Sequence, residues 1–297
     1  MNDRTPRYRD IRVGSNVLRT AVWEGKGRGR PLLFFNGIGA NIELIAPLAE
    51  ALSDRDIIAF DAPGVGGSPA AALPYRPWQF ARMAAGILDE LGYSEVDVMG
   101  VSWGGAMAQQ FAFQFGSRVH RLILAATSAG FFMVPGKPAA LAKLAHPKRY
   151  MNPDYMLQHF EMLYGDEQHG ADGHASRLRA PSFRGYFYQL LAGMGWTSVP
   201  FLPFLKPDTL VLAGENDQIV PQVNGRFLAS LIPGARLEIV PGGHLFLVSR
   251  AKEVIPLIRD FLDEAPVRRP FARSDFAGER RFRGTRHTPS GNPRPAA

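Results

Sequence analysis

The stretch GVSWG (100–104) lies between an apolar run that reads as a strand, VDVMGV (96–101), and a run that reads as an apolar helix (104–116). A serine between glycines on such a strand-to-helix turn holds its hydroxyl above the edge of a parallel sheet. Glycine is needed at both ends because a side chain there would collide with the turn. The backbone N–H of Trp103, at the start of the helix, can bind the oxyanion of an acyl-transfer reaction. The stretch therefore predicts that Ser102 is a nucleophile.

The remaining sequence alternates apolar strand-like runs with helical patterns, which is typical of a largely parallel α/β sheet. An antiparallel hairpin (10–15 and 17–24, turning at Ser15-Asn16) is expected at the start. Six buried strands are expected at PLLFFN (31–36), DIIAFD (56–61), VDVMGV (96–101), RLILAAT (121–127), TLVLAG (209–214) and ARLEIV (235–240). Helices are expected at 42–53, 76–92, 104–116, 221–232 and 250–264. The sequence thus predicts a mostly parallel eight-stranded sheet flanked by helices.

Residues 130–206, here called the cap segment, have no strand pattern but many helix-forming and aromatic residues. The segment is far longer than the dozen or so residues that a crossover between parallel strands needs. We therefore predict an inserted helical cap over the carboxyl edge of the sheet, where ligands bind in open α/β folds. The core would then consist of residues 1–129 and 207–264.

The formal net charge of +7 is concentrated in residues 265–297, which contain eight arginines and two acidic residues. This segment is poor in aliphatic residues and rich in Pro, Gly and Arg, a composition typical of disorder. We predict a disordered basic tail rather than a basic face on the folded part, and no nucleic acid partner is expected.

Three further features of the sequence concern location and cofactors. The absence of cysteine excludes disulfides and thiolate metal sites. The N-terminus lacks the apolar region of a signal peptide, and no apolar run approaches the roughly 20 residues of a membrane span. The sequence therefore predicts a soluble cytoplasmic protein with no transmembrane segment, metal or other cofactor.

A serine hydroxyl becomes a good nucleophile when a histidine takes its proton, and the histidine in turn needs an orienting carboxylate. With the serine on such a turn, the carboxylate and then the histidine follow on loops after late strands. GENDQIVP, after the strand at 209–214, offers Glu215 and Asp217. PGGHLFLV, after the last strand, offers His244. We predict Asp217 over Glu215 because Asp217 lies deeper in its loop.

Other polar groups compete less well for these roles. His120 precedes a strand, and the remaining histidines lie in the cap segment or the tail: His146, His159, His169, His174 and His287. His169 and His174, the two histidines in HGADGH, lack the further ligands that a metal site needs. Asp61, in FDAPGVGGS, is expected to shape the turn that follows its strand.

The second oxyanion donor should come from the loop after the third strand. FFNGIGAN (34–41) is rich in glycine there, and the N–H of Ile38 is our candidate. Each such donor typically contributes roughly 3–4 kcal/mol of transition-state stabilisation.

Several longer stretches closely resemble one family, the intracellular depolymerases of medium-chain-length poly(3-hydroxyalkanoates). They are NGIGANIELIAPL, FDAPGVGGS, GVSWGGAMAQQFA, LAATSAG with MVPGKP, GWTS and GGHLFLVSRA, and the likeness covers about residues 8–264. The resemblance implies an α/β-hydrolase fold and an esterase that cleaves storage polyester at granule surfaces, releasing 3-hydroxy acids or oligomers. It also implies that Ser102, Asp217 and His244 form the triad. Related polymer synthases are expected to have cysteine at the position of the serine, so serine favours hydrolysis.

An apolar polyester needs apolar and aromatic side chains near the site. The cap segment supplies such residues, and some of them are expected to border the cleft or meet a granule: Phe131, Phe132, Met133, Val134, Trp196, Phe201, Leu202 and Phe204.

Three alternatives remain open at the level of sequence. A capped hydrolase of small soluble esters, or of carbon–carbon bonds in ring-cleavage products, would use the same triad. Epoxide hydrolases and haloalkane dehalogenases need a carboxylate in place of Ser102, which argues against them. A non-catalytic granule protein on this fold would not need an intact triad.

Overall fold

The structure, a computed structural model, describes residues 4–27, 29–145, 158 and 171–265. Within these residues a single eight-stranded sheet has the order β1-β2-β4-β3-β5-β6-β7-β8. The strands are β1 (Arg7–Val13), β2 (Asn16–Trp23), β3 (Leu32–Phe35), β4 (Ile57–Phe60), β5 (Val96–Val101), β6 (Val119–Ala125), β7 (Asp208–Gly214) and β8 (Arg236–Val240). β2 pairs antiparallel with β1 and with β4, and the other neighbours pair in parallel. The predicted mostly parallel sheet is confirmed.

Helices connect the strands on both faces of the sheet. They are α1 (Ala46–Ala51), α2 (Pro77–Leu91), α3 (Trp103–Gln114), α4 (Pro138–Ala145), α5 (Ala171–Arg177), α6 (Phe183–Gly193), α7 (Val223–Leu231), α8 (Phe246–Ser249) and α9 (Ala251–Asp263). Short 3-10 turns occur at Ile42–Ile45, Gly116–Arg118 and Leu202–Phe204. α4, α5 and α6 belong to the cap segment, whose boundaries as a domain stay a prediction. The predicted tail lies outside the described residues, apart from Ala265.

The sequence patterns differ from the observed elements mainly at their ends. The hairpin turns one residue earlier than predicted, because Gly14 has φ +60° and adopts the left-handed conformation without strain. The helix expected at 42–53 is instead a 3-10 turn followed by the short α1. The helix expected at 250–264 is preceded by a separate turn of helix, α8.

Successive residues of the central strands point into two separate cores. Leu33, for example, packs in one apolar cluster with side chains of α2, α3 and α7. Its neighbour Leu32 packs in the other cluster, with α1, α8 and α9. All four residues of β3 and of β4 are buried, which explains why these strands read as continuous apolar runs.

The parallel arrangement brings the carboxyl ends of β3, β5, β7 and β8 to one edge of the sheet. α6 is attached at the same edge, where the N–H of Ser182 donates to the carbonyl of Gly64 at 2.8 Å. A Cβ on Gly185 would lie 2.4 Å from that carbonyl oxygen, so the two backbones cross where only glycine fits. Among the described residues, no helix is both long enough and apolar enough to span a bilayer.

Candidate active site

The turn between β5 and α3 holds Ser102 in a strained conformation. Its φ of +54° and ψ of −120° are unusual for a residue other than glycine, and such strain costs on the order of 1–3 kcal/mol. Three hydrogen bonds hold it in place. The N–H of Ser102 donates to the carbonyl of Ala125 at 2.9 Å. The carbonyl of Ser102 accepts from the Thr127 hydroxyl at 2.7 Å and from the N–H of Gly105 at 2.9 Å.

The glycines on either side of this turn fill positions where no side chain fits. A Cβ on Gly104 would lie 2.1 Å from the carbonyl oxygen of Phe35, and a Cβ on Gly100 would lie 2.3 Å from that of Gly104. The first turn of α3 therefore packs directly against the end of β3. This contact brings the loop after β3 next to the serine.

Ser102, His244 and Asp217 form one hydrogen-bonded line. Ser102 Oγ lies 3.0 Å from His244 Nε2, and His244 Nδ1 lies 2.8 Å from Asp217 Oδ2. The other oxygen, Asp217 Oδ1, accepts from the N–H groups of Ile219 at 2.9 Å and Val220 at 2.8 Å. The Asp217 side chain is fully buried, so its carboxylate interacts with these partners rather than with water. The geometry suits transfer of the serine proton to Nε2, with Nδ1 held in its protonated form.

The glycine-rich loop before His244 allows the histidine to reach Ser102. Gly242 has φ +102°, which is accessible only to glycine at little cost. Its carbonyl accepts from the N–H of Asn216 at 2.9 Å, which ties the loop to the one that carries Asp217. Glu215, the alternative carboxylate, is exposed and lies outside the hydrogen-bonded line.

The other candidate histidines lie elsewhere or outside the described residues. His120 lies within β6, with Nδ1 3.2 Å from Asp97 Oδ1. His174 lies in α5. The remaining candidates fall outside the described residues: His146, His159, His169 and His287. No group of three His, Cys, Asp or Glu side chains suited to a metal ion occurs in the described parts of the chain.

Asp61 is buried, and its carboxylate is used within the fold. It accepts from the N–H of Ile42 at 2.8 Å, from the N–H of Gly67 at 2.9 Å and from Arg19 Nη1 at 3.1 Å. Burial raises the pKa of Asp61 above its ordinary value, against the opposing effect of these hydrogen bonds. The contacts stabilise the turn after β4.

The loop of residues 36–41, here called the oxyanion loop after the oxyanion donor predicted at Ile38, lies against the serine. A Cβ on Gly37 would be 3.9 Å from Ser102 Cβ. The N–H of Gly37 donates to Asn36 Oδ1 at 3.1 Å, and that of Ala40 to the Gly37 carbonyl at 3.1 Å. The N–H of Gly39 donates to Gln189 Oε1 at 2.8 Å. Hydrogen bonds thus fix the loop on both sides of Ile38.

Trp103 is the first residue of α3. Its N–H belongs to the first turn, whose amides have no acceptor within the helix. Its indole packs edge-on against Phe80, with ring centroids 5.1 Å apart, and donates from Nε1 to the carbonyl of Gln189 at 3.0 Å. The side chain of Trp103 therefore packs within the fold, while its backbone N–H lies at the start of α3 beside Ser102.

Two residues of this region were not singled out from the sequence. Thr127 could have been found, because it is a hydroxyl residue two positions beyond the end of β6. Gln189 gave no local signal, since its contact with the oxyanion loop joins residues 150 positions apart.

A cavity of about 270 Å³ opens beside His244. Its wall is mainly apolar. Besides His244, the polar side chains that line it are Asn36 and, from α5, His174 and Arg177. The apolar lining residues are Phe34, Leu44, Ile45, Pro47, Leu48, Val101, Leu245, Leu247, Val248 and Ala251.

Comparison with known proteins gives matches along most of the chain. Residues 30–251 match the model of the α/β-hydrolase fold family. A poly(3-hydroxyalkanoate) depolymerase of Ectopseudomonas oleovorans is 47% identical over 262 residues, which cover 86% of this chain and 93% of the relative. A 2-hydroxymuconate semialdehyde hydrolase of Pseudomonas sp. (strain CF600) is 29% identical over 279 residues, which cover 85% of this chain and 95% of that relative. Among solved structures, an esterase from Exiguobacterium antarcticum superposes with a TM-score of 0.75 at 21% identity, covering 88% of this chain and all of that one.

Proposed function

Because the chain belongs to the α/β-hydrolase family, we propose that it is a serine esterase that hydrolyses poly(3-hydroxyalkanoate). The observation that carries this proposal is the extensive identity to the depolymerase of Ectopseudomonas oleovorans. The hydrogen-bonded line of serine, histidine and aspartate supplies the chemistry that ester hydrolysis requires.

The proposed reaction has two acyl-transfer steps. His244 Nε2 takes the proton of Ser102 Oγ as that oxygen attacks the ester carbonyl, and the oxyanion is bound by the N–H groups of Ile38 and Trp103. His244 then gives the proton to the departing hydroxyl of the polymer. Water, activated by the same histidine, hydrolyses the 3-hydroxyacyl-enzyme and restores the serine. Asp217 keeps Nδ1 protonated and stabilises the imidazolium.

The cavity beside His244 fits the departing part of such a substrate. His244 lines the cavity and must reach the departing oxygen to protonate it. We therefore place the departing hydroxyalkanoate unit there, with its alkyl side chain against the apolar wall. A wall of this kind accepts a hydrocarbon chain without leaving polar groups unpaired.

The outward face of α6 suits contact with an insoluble apolar polymer. Large apolar residues recur at helical spacing along this helix and at the residue that caps its C-terminal end, and all of them are exposed. We call them the apolar stripe: Phe183, Phe187, Leu190 and Met194. The Phe183 side chain is 87% exposed, and its ring stacks on that of Phe187 with an interplanar angle of 3°. The residues that α6 buries are small or polar: Gly185, Gln189 and Ala192. Since this helix turns its bulkiest apolar side chains towards solvent, we propose that the stripe docks on a polyester granule.

The apolar residues named from the sequence divide into exposed and buried groups. The exposed ones are Phe131, Phe132, Val134 and Phe204. Trp196 and Leu202 are buried in the protein, while Met133 and Phe201 are partly buried. The exposed group is therefore available for contact with polymer, and the buried pair packs within the fold.

The assignment is tested by incubating the protein with purified granules of short-chain and of medium-chain polyester, and sizing the released products. We expect hydroxy acids or short oligomers from the polymer. A soluble ester and a ring-cleavage product serve as comparison substrates. Hydrolysis of soluble esters alone, or of the carbon–carbon bond instead, would assign the chain to another kind of hydrolase within the family.

The apolar stripe gives a second prediction, which concerns the paired substitution Phe183→Ser and Phe187→Ser. Burying one such side chain is worth about 1.5–3 kcal/mol, so losing both should weaken granule binding at least about tenfold. Co-sedimentation with granules measures the binding, and a soluble ester measures turnover, which should be unchanged. Leu73→Ser is the control, because this leucine is also exposed (76%) but lies outside α6. Equal loss of binding in the control would show that the stripe is not the docking surface.

A further inference from the structure

α6 is attached firmly to the core at both ends. At its N-terminal end, Ser182 and Gly185 contact Gly64. At its C-terminal end, Arg76 Nη1 donates to the carbonyl of Leu191 at 3.1 Å and Nη2 to that of Met194 at 3.2 Å. The middle of the helix is therefore held at a defined distance from the serine.

Gln189, near the middle of α6, contacts both segments that carry the proposed oxyanion donors. The residue is 1% exposed. Its Oε1 accepts from the N–H of Gly39 in the oxyanion loop at 2.8 Å, and its backbone carbonyl accepts from Trp103 Nε1 at 3.0 Å. One residue of the cap segment thus links the oxyanion loop to the start of α3.

The hydrogen bond to Gly39 is important for the conformation of the loop. Gly39 is buried and has φ +69°, and its N–H bond to Gln189 is shielded from water. A buried N–H that loses its acceptor must find another, which requires the backbone around it to move. Ile38 is the residue directly before Gly39, so the same movement changes the direction of its N–H. Oxyanion binding depends on donors placed within a few tenths of an ångström.

We propose that Gln189 is a positioning residue: it fixes the oxyanion loop from the cap segment and so determines how well the transition state is bound. This proposal rests on the serine esterase mechanism proposed above, but not on polyester being the substrate. It implies that α6 is part of the machinery of catalysis and does more than cover the site.

The experiment compares Gln189→Leu and Gln189→Glu with the wild type, using a soluble p-nitrophenyl ester and a fluorophosphonate that labels Ser102. Leucine removes the acceptor, and we expect kcat to fall by about 10²-fold with KM nearly unchanged, as misplacement of catalytic groups commonly produces. The labelling rate should fall in parallel, since phosphonylation passes through a similar charged transition state.

Glutamate keeps an acceptor oxygen at the same reach, so its effect should depend on pH. While the new carboxyl is neutral it resembles the amide, and activity relative to the wild type at the same pH should be largely restored. When it ionises, its negative charge lies near the oxyanion, and relative activity should fall as the pH rises. A merely structural role for Gln189 would lower activity and the thermal midpoint together, whereas a positioning role lowers kcat at pH values where the variant is still folded.

Gln110 provides a matched control for loss of a buried amide acceptor. Its Oε1 accepts from Trp196 Nε1 at 2.8 Å, another buried bond between the core and the cap segment, but one that does not involve the oxyanion loop. We expect Gln110→Leu to lower the thermal midpoint about as much as Gln189→Leu while kcat changes less than about threefold.

The outcomes separate the two proposals. Wild-type kcat and labelling in Gln189→Leu, or equal losses in the two leucine variants, would overturn the positioning role. A wild type that hydrolyses the soluble ester but no polymer would refute the polymer assignment and leave the Gln189 comparison valid. If the fluorophosphonate failed to label Ser102 in the wild type, Ser102 would not be the nucleophile, and the Gln189 proposal would be refuted as well.

Discussion

Replacing Ser102 with alanine is expected to lower kcat for ester hydrolysis by at least about 10⁴-fold, as loss of a triad member generally does. Without the hydroxyl no acyl-enzyme forms, and only the oxyanion donors and substrate binding remain to accelerate attack by water. The measurement is kcat on a soluble ester, together with the loss of fluorophosphonate labelling.

The same substitution should leave the fold unchanged. Serine and alanine both carry a Cβ, so the backbone strain at φ +54° and ψ −120° should be similar with either residue. The hydrogen bonds that hold the turn involve the backbone of residue 102 and do not need its hydroxyl. The urea midpoint should therefore stay near that of the wild type. A matched control, Ser230→Ala on the exposed side of α7, should retain full activity. If Ser102→Ala kept most of its activity, Ser102 would not be the nucleophile.

Asp217→Asn is expected to reduce kcat by about 10⁴-fold, because the amide would hold the histidine in the wrong tautomer. The two N–H groups of Ile219 and Val220 require an oxygen at the Oδ1 position. The asparagine would therefore turn its NH₂ group towards His244 Nδ1. The imidazole would then have to accept at Nδ1 and carry its proton on Nε2, where it could no longer take the proton of Ser102.

The control for this substitution is Glu215→Gln, two residues earlier in the same loop. Glu215 is exposed and lies outside the hydrogen-bonded line, so its neutralisation should change kcat by less than about twofold. Measurements of kcat across pH on both variants distinguish the two carboxylates. A large loss in Glu215→Gln with little effect in Asp217→Asn would transfer the orienting role to Glu215.

The sheet and the hydrogen-bonded line could be predicted because chain order and strand direction determine them. Ser102 and His244 are 142 positions apart, yet both follow parallel strands and must emerge at the same edge. The contact between Gly39 and Gln189 spans a similar separation of 150 positions and could not be predicted. It depends on the rotation of α6 about its own axis, which tertiary contacts with Gly64 and Arg76 fix.

Which side chains α6 buries could not be predicted from the sequence either. Its sequence contains enough aromatic and aliphatic residues to suggest a conventional helix with its bulky side towards the core. The structure instead buries Gly185, Gln189 and Ala192. At Gly185 the reason is the close crossing at Gly64, which leaves no room for a side chain. Close backbone packing of this kind has no local sequence pattern.

The two opposite faces of α6, with their proposed roles in docking and in positioning, have a consequence for protein engineering. The proposed docking side chains on its outer face could be exchanged one by one, so that binding to a new plastic or lipid is changed while kcat stays the same. Excising the helix to open the site for bulky substrates would be a poor strategy, since the same cut would remove the support of the oxyanion loop. A minimal catalyst built on this scaffold must therefore keep α6.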